Sequence, residues 1–225
     1  MLANIFLQTV ATIADAVAVP KEDSLSLLQL IMKGGVIMIP VGILSVISIY
    51  VFIERYTVIR KAKKVDKNLV NSVRENLLKG NLEAARSICK ASSSPEAVMI
   101  DKGISRLGKS TKEIESAMES VGKLEIAKLE RNTSILGIIA GIAPMFGFIG
   151  TISGVIKIFY NISLADNISI GLISGGLYEK MITSASGLVV GLFSFVCYHY
   201  LQNMIDKVSF KMETAALEFM DVINE

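Results

Sequence analysis

The sequence predicts an all-α integral membrane protein with three transmembrane helices, and three observations support that prediction. The first is composition. Of 225 residues, 52% are hydrophobic and 20% charged, Trp is absent, and the mean hydropathy of +0.53 is too high for an ordinary soluble domain. The second is clumping: no charged side chain falls between Val36 and Ile53 or between Ser134 and Ile156. A charge-free stretch of about 18 residues can cross a ~30 Å hydrocarbon core as a helix. The third is a further run, Met181 to Met204, without Asp, Glu, Lys or Arg, carrying Tyr198 and Tyr200 where a membrane interface would fall.

Charge sets the expected orientation. The net charge of +2 is too small to suggest a nucleic-acid partner, but 17 of the 23 Lys and Arg residues lie between Arg55 and Arg131. Arg55, Arg60, Lys61, Lys63, Lys64 and Lys67 follow the first span directly. Basic residues beside a span stay in the cytoplasm, so the N terminus is expected outside and the C terminus in the cytoplasm.

The order along the chain follows. Residues 1–24 are expected to form an external amphipathic segment. Met1 to Val19 ends in small residues like a cleavable signal peptide, but it lacks a basic leading region and has Asp15 near its end. Pro20 to Ser24 makes a polar hinge, with Ser24 as N-cap of a first span over 25–54. A cytoplasmic helical portion, 55–133, reads as a helical hairpin and little else, broken at Gly80-Asn81 and at Ser92 to Pro95. From Thr111, Ile114, Met118, Val121, Leu124 and Leu129 recur at helical spacing with no turn signal before Ser134. The second span, 134–160, is therefore expected to be the membrane half of one long helix. An external loop, 161–169, a third span, 170–204, and an amphipathic cytoplasmic helix, 205–225, complete the chain.

Several function classes fall away. Cys89 lies in the cytoplasmic portion and Cys197 inside a span, where thiols stay reduced. A single histidine, His199, excludes a His-rich metal site. The sequence has no Gly-rich phosphate loop, no Cys-x-x-Cys pair and no nucleophile with a supporting base, so neither metal nor cofactor is expected and an enzyme is disfavoured.

Two features of the second and third spans point to function. Gly137 and Gly141, Gly150 and Gly154, Gly171 and Gly175, and Gly187 and Gly191 each have G-x-x-x-G spacing, which lets a second backbone approach closely. Packing within one subunit explains most of these pairs. The second feature is polarity: Thr151 and Ser153 sit mid-span, and Glu179, Thr183 and Ser186 form a stripe on the third helix with Ser184 beside it. Hydroxyls in membrane helices commonly bond their own carbonyls. Glu179 either marks the outer end of the span with Lys180 or is submerged, since the helix is expected to begin ten residues earlier. An intramembrane carboxylate needs water or a partner side chain, so a polar, hydrated path along these two spans is the functional reading.

The run Ile142-Ala143-Pro144-Met145-Phe146-Gly147-Phe148-Ile149-Gly150-Thr151-Ile152-Ser153-Gly154 resembles the A-P-x-x-G-x-x-G-T-x-x-G signature in the second helix of the ExbB/TolQ/MotA family. Glu179-Lys180-Met181-Ile182-Thr183-Ser184-Ala185-Ser186-Gly187-Leu188 resembles that family's E-A-L-x-x-T-A-x-G-L stretch, and the three-span layout fits its ExbB/TolQ branch. The resemblance implies a homopentameric ring around a dimer of a single-span ExbD/TolR-type protein, whose membrane aspartate carries protons, with a TonB- or TolA-type protein as a further partner. It also implies that Thr151 and Glu179 line the proton path, while the third-helix threonine has its place held by Ser184 with Thr183 adjacent, so either can face the pore. Pro144, Gly147, Gly150, Gly154, Gly187 and Gly191 are expected to pack helices. No Asp lies inside any span, so a partner would have to supply the proton carrier. A passive scaffold and a solute-transporter subunit are the competing readings; three spans without an inverted repeat count against the transporter.

Overall fold

The computed structural model describes residues 35–63, 69–164 and 170–224. The expected external segment, the Ser24 cap and the first part of the first span lie outside the described residues. These hold seven helices and no strand: α1 (Met38–Ala62), α2 (Leu69–Leu78), α3 (Leu82–Ala91), α4 (Pro95–Ile104), α5 (Thr111–Glu130), α6 (Thr133–Leu164) and α7 (Ile170–Asn224). Three of them, α1, α6 and α7, are long and apolar enough to cross a membrane. The protein is thus an all-α membrane protein.

Local chemistry sets the boundaries. Pro40 is the third residue of α1, where its missing N–H interrupts no helical hydrogen bond. In the polar portion, the Asn81 side chain caps α3 by accepting from the Ala84 N–H at 3.1 Å. The hydroxyls of Ser94 and Ser110 cap α4 and α5 in the same way, accepting from Ala97 and Glu113, each at 3.3 Å. Gly80 and Gly108 take left-handed φ of 72° and 88°, which a residue without Cβ adopts freely. The expected hairpin is therefore four helices, because the breaks at Gly80-Asn81 and Ser92 to Pro95 are joined by a third at Gly108.

The long helix expected from Thr111 into the second span is interrupted. α5 ends at Glu130, Asn132 takes φ of 65°, and α6 restarts at Thr133, whose hydroxyl donates to the Glu130 carbonyl at 2.7 Å. Asn is among the few residues other than Gly that enter the left-handed region at small cost, so a break forms with neither Gly nor Pro present. In contrast, the third span and the expected separate tail are one unbroken helix of 55 residues, roughly 80 Å long at 1.5 Å per residue.

The buried core begins at the ends of the charge-poor stretches and continues where α7 runs through the polar helices. Ile59 of α1, Ile100 of α4, Ile114 and Met118 of α5, and Leu201, Ile205, Val208 and Phe219 of α7 meet there, almost fully enclosed. Phe219 closes on Gly103 so tightly that a Cβ on Gly103 would come 2.6 Å from its ring. An Arg86–Asp101 ion pair at 3.0 Å joins α3 to α4. Arg55 pairs with Glu54 and reaches the Lys128 carbonyl at 3.5 Å, linking α1 to α5. The extended α7 thereby fixes the spans to the polar helices as one body.

A candidate ion-pathway seam between the second and third spans

α6 and α7 run antiparallel and touch backbone to backbone. A Cβ on Gly147 would lie 3.0 Å from both the Cα and the carbonyl oxygen of Ser184, and one on Gly187 would lie 2.6 Å from the Ala143 carbonyl oxygen. Further along, a Cβ on Gly150 would meet the Thr183 methyl at 2.8 Å, and one on Gly154 would overlap the stem of Lys180. Only glycine leaves room for such approach, and the close van der Waals contact it permits holds membrane helices together. Gly141 has nothing within 4 Å of where a Cβ would stand, so its G-x-x-x-G spacing does not place it in this seam.

Pro144 is built into the same contact. Its ring removes the N–H that would have bonded the carbonyl of Ala140 four residues back. That carbonyl and the proline ring both face Gly191, where a Cβ would lie 3.1 Å from the oxygen and 2.5 Å from Pro144 Cγ. Membrane helices tolerate proline where a neighbouring helix covers the freed group, and Gly191 permits that cover.

The hydroxyl residues separate into two kinds. Thr183 is fully buried, its methyl over Gly150, and so belongs to the packed seam. Thr151 and Ser184 are half-buried at its edge and Ser153 is exposed. The Thr151 hydroxyl donates to the Phe148 carbonyl of its own helix at 2.7 Å, leaving its oxygen lone pairs available to accept. Glu179 lies within α7, one residue before Lys180; its side chain is outside what is described.

One polar contact lies inside the membrane region without any cue that singled it out in the sequence. The hydroxyl oxygens of Ser48 on α1 and Ser194 on α7 are 2.8 Å apart, both fully buried. Ser194 also donates to the Val190 carbonyl at 2.8 Å. A hydroxyl has one proton to give, so Ser48 donates to Ser194. Ser48 shares its apolar run with Ser45, and Ser194 shares its run with Ser184 and Ser186, so nothing in the sequence pairs these two. Among the described residues, no group of three His, Cys, Asp or Glu side chains is placed to hold a metal.

Fold and seam together define a class, a three-span α-helical membrane protein whose second and third spans lock through glycine with hydroxyls along the seam's edge. The family model of the MotA/TolQ/ExbB proton channel family matches residues 91–214, a stretch containing the whole seam, and the chain belongs to that family. It is similar to a protein of Methanothermobacter thermautotrophicus named as a homolog of the biopolymer transport protein ExbB. The two are 28% identical over 190 residues, covering 84% of this chain and 67% of the relative. It is also similar to the Tol-Pal system protein TolQ of Haemophilus influenzae, with 26% identity over 92 residues, 41% of this chain and 40% of that one. The biopolymer transport protein ExbB of Xanthomonas campestris pv. campestris is 24% identical over 108 residues, 48% of this chain and 43% of that one. The protein is accordingly a multi-pass inner-membrane protein with a proton-channel role of ExbB/TolQ type.

Proposed function

We propose that the chain is the channel-wall, or stator, subunit of a proton-motive-force-driven motor of ExbB/TolQ type. The observation that carries the proposal is the half-buried Thr151 hydroxyl at the edge of the α6–α7 seam, with half-buried Ser184 against Gly147, one turn of α6 earlier, and Glu179 on α7 before Ser184. In this reading about five copies form a ring, Thr151, Ser184 and Glu179 line its interior, and Thr183 packs behind them. Residues 1–24 lie in the periplasm and the C terminus in the cytoplasm.

No Asp lies within any span of this chain, so the proton carrier is a carboxylate on a single-span partner of ExbD/TolR type held in the ring. At ~100 mV each proton brings about 2.3 kcal/mol, and protonating and releasing that carboxylate against the polar wall turns partner relative to ring. The extended α7 and the polar helices hold the wall rigid while the partner moves. A TonB- or TolA-type protein then passes the motion to outer-membrane transport or envelope maintenance.

Native mass spectrometry of the purified chain, alone and co-expressed with a single-span partner bearing a membrane Asp, tests the assembly. A ring of about five copies that takes up the partner is expected. Proton flux into liposomes from that complex should fall in Thr151→Val and Glu179→Gln variants. A chain that stays a monomer or dimer and ignores the partner overturns the reading in favour of a passive scaffold.

A further inference from the structure

At the basic end of the spans, α1 and α7 diverge around a crevice of about 580 Å³. Its walls carry three cations, Arg60, Lys63 and Lys207, and its floor carries Tyr56, Tyr200 and Asn203; among the described residues no Asp or Glu lines it. Ion pairs such as Glu54–Arg55, Arg86–Asp101, Glu119–Lys123 and Glu125–Lys128 lie elsewhere. The rings give the floor a defined shape. Tyr56 and Tyr200 have centroids 6.3 Å apart, and the Arg60 guanidinium sits over the Tyr56 ring, 5.9 Å from its centre.

Immediately beyond this floor the surface is apolar. Phe52 stacks on Tyr56 with centroids 5.9 Å apart and meets Phe193 of α7 at 6.4 Å, and Val196 beside them is exposed. From Phe52 to Arg60 is eight residues along α1, roughly 12 Å of helix. Over that distance the surface passes from hydrocarbon-facing rings, through two tyrosine hydroxyls, to three positive charges. A ligand matching that gradient has a phosphate at one end and an acyl chain at the other. Basic pockets between membrane helices at an interface take anionic headgroups in this way.

We propose that this crevice is a binding site for the phosphodiester headgroup of an anionic phospholipid from the leaflet at the basic end of the spans. Arg60, Lys63 and Lys207 hold the phosphate, the tyrosine hydroxyls and the Asn203 amide bond its oxygens or glycerol, and an acyl chain runs along Phe52 and Phe193. Arg60 supplies several donors in a fixed fork, while the two lysines act as movable charges. The bound lipid bridges α1 to α7 where no ion pair of the described residues does so. This inference does not depend on what passes along the α6–α7 seam.

The full chain, purified in mild detergent, is titrated with phosphatidylglycerol or phosphatidylcholine of identical acyl chains and read by native mass spectrometry. Each basic residue near a membrane surface contributes about 1 kcal/mol toward anionic lipid, so phosphatidylglycerol is expected to bind at least tenfold more tightly. In an R60Q/K63Q/K207Q variant the preference should fall to within about threefold, while the charge-preserving R60K/K63R/K207R variant and a control, Lys109→Gln in the turn between α4 and α5, keep it. Equal retention of the two lipids by the native chain overturns the proposal by itself, whether or not the triple variant folds. Displacement of phosphatidylglycerol by inorganic phosphate would assign the site to a free anion. A triple variant with altered copy number and unchanged lipid selectivity would make this face a contact between copies of the chain.

Discussion

A Cβ placed on Gly187 would lie 3.0 Å from the Cα of Gly147, so α6 and α7 meet where neither helix can accept even a methyl group. Gly187→Ala must push the two backbones apart, and overpacking of this kind costs about 1–3 kcal/mol. Gly141→Ala adds the same methyl where nothing stands within 4 Å and should leave stability unchanged or slightly raised, since alanine favours the helix. Thermal unfolding of the two variants in one detergent checks this; equal shifts would mean that the seam is looser than described.

The Ser48–Ser194 bond predicts coupling between α1 and α7 inside the membrane. Interhelical hydrogen bonds there average about 0.6 kcal/mol in double-mutant cycles, and the same order is expected for Ser48→Ala combined with Ser194→Ala. Ser194→Ala alone should be the worse single change, because it removes the acceptor of Ser48 and leaves that buried hydroxyl unmet. A cycle of unfolding measurements in mixed micelles gives the coupling directly, and strictly additive losses would refute it.

These two contacts mark what the sequence could reveal. The spans were legible because apolar length is a one-dimensional property: runs such as Ser134 to Ile156 need no partner to be recognised. The close approach at Gly150 and Gly187 falls at G-x-x-x-G spacing, but Gly141 has that spacing too with nothing within 4 Å of its Cβ position, because the spacing does not say which face meets a neighbour. The break at Asn132 escaped because its φ of 65° is a choice that asparagine permits and its composition does not announce. Thr183 and Ser184 differ by about 100° around the helix, and only the position of α6 decided that Thr183 is enclosed.

Glu96 predicts a pH-dependent stability. It is buried in the first turn of α4, one of its carboxylate oxygens has no hydrogen-bond partner, and desolvation raises its pKa, offset in part by the charge of Lys211. A carboxyl whose pKa is raised on folding takes up protons as the chain folds. Stability from this group is therefore lost as pH rises from the ordinary carboxylate value through the raised one. Glu96→Gln should accordingly raise the unfolding temperature at about pH 8 and make little difference near about pH 4. A gap that persists in acid would point to the amide's packing instead of charge.

Cys89 should be slow to alkylate in the folded protein. It is buried between the polar helices, and burial, helped by the charge of Asp101, pushes its thiol up to about 11. Only the thiolate reacts, so its labelling near about pH 8 should be on the order of 100-fold slower than that of an unperturbed thiol and should reach the ordinary rate on unfolding. Cys89-directed labelling by mass spectrometry follows this; rapid reaction in the native state would show that α3 opens readily.

Thr151 and Thr183 predict opposite phenotypes. The Thr183 side chain is enclosed and its methyl fills the space over Gly150, so Thr183→Ala opens a small cavity and should cost about 1 kcal/mol of stability. Thr151 is half-buried and its only described bond lies within its own helix, so Thr151→Ala should leave the unfolding temperature nearly unchanged. If the Thr151 hydroxyl lines the proposed proton path, that same change removes an acceptor from it and should slow proton flux roughly tenfold, the size expected for losing one hydrogen bond. Flux and unfolding measured on the same two variants separate the roles. A Thr151→Ala protein with native flux would remove the hydroxyl from the path, and one that unfolds early would reassign it to packing.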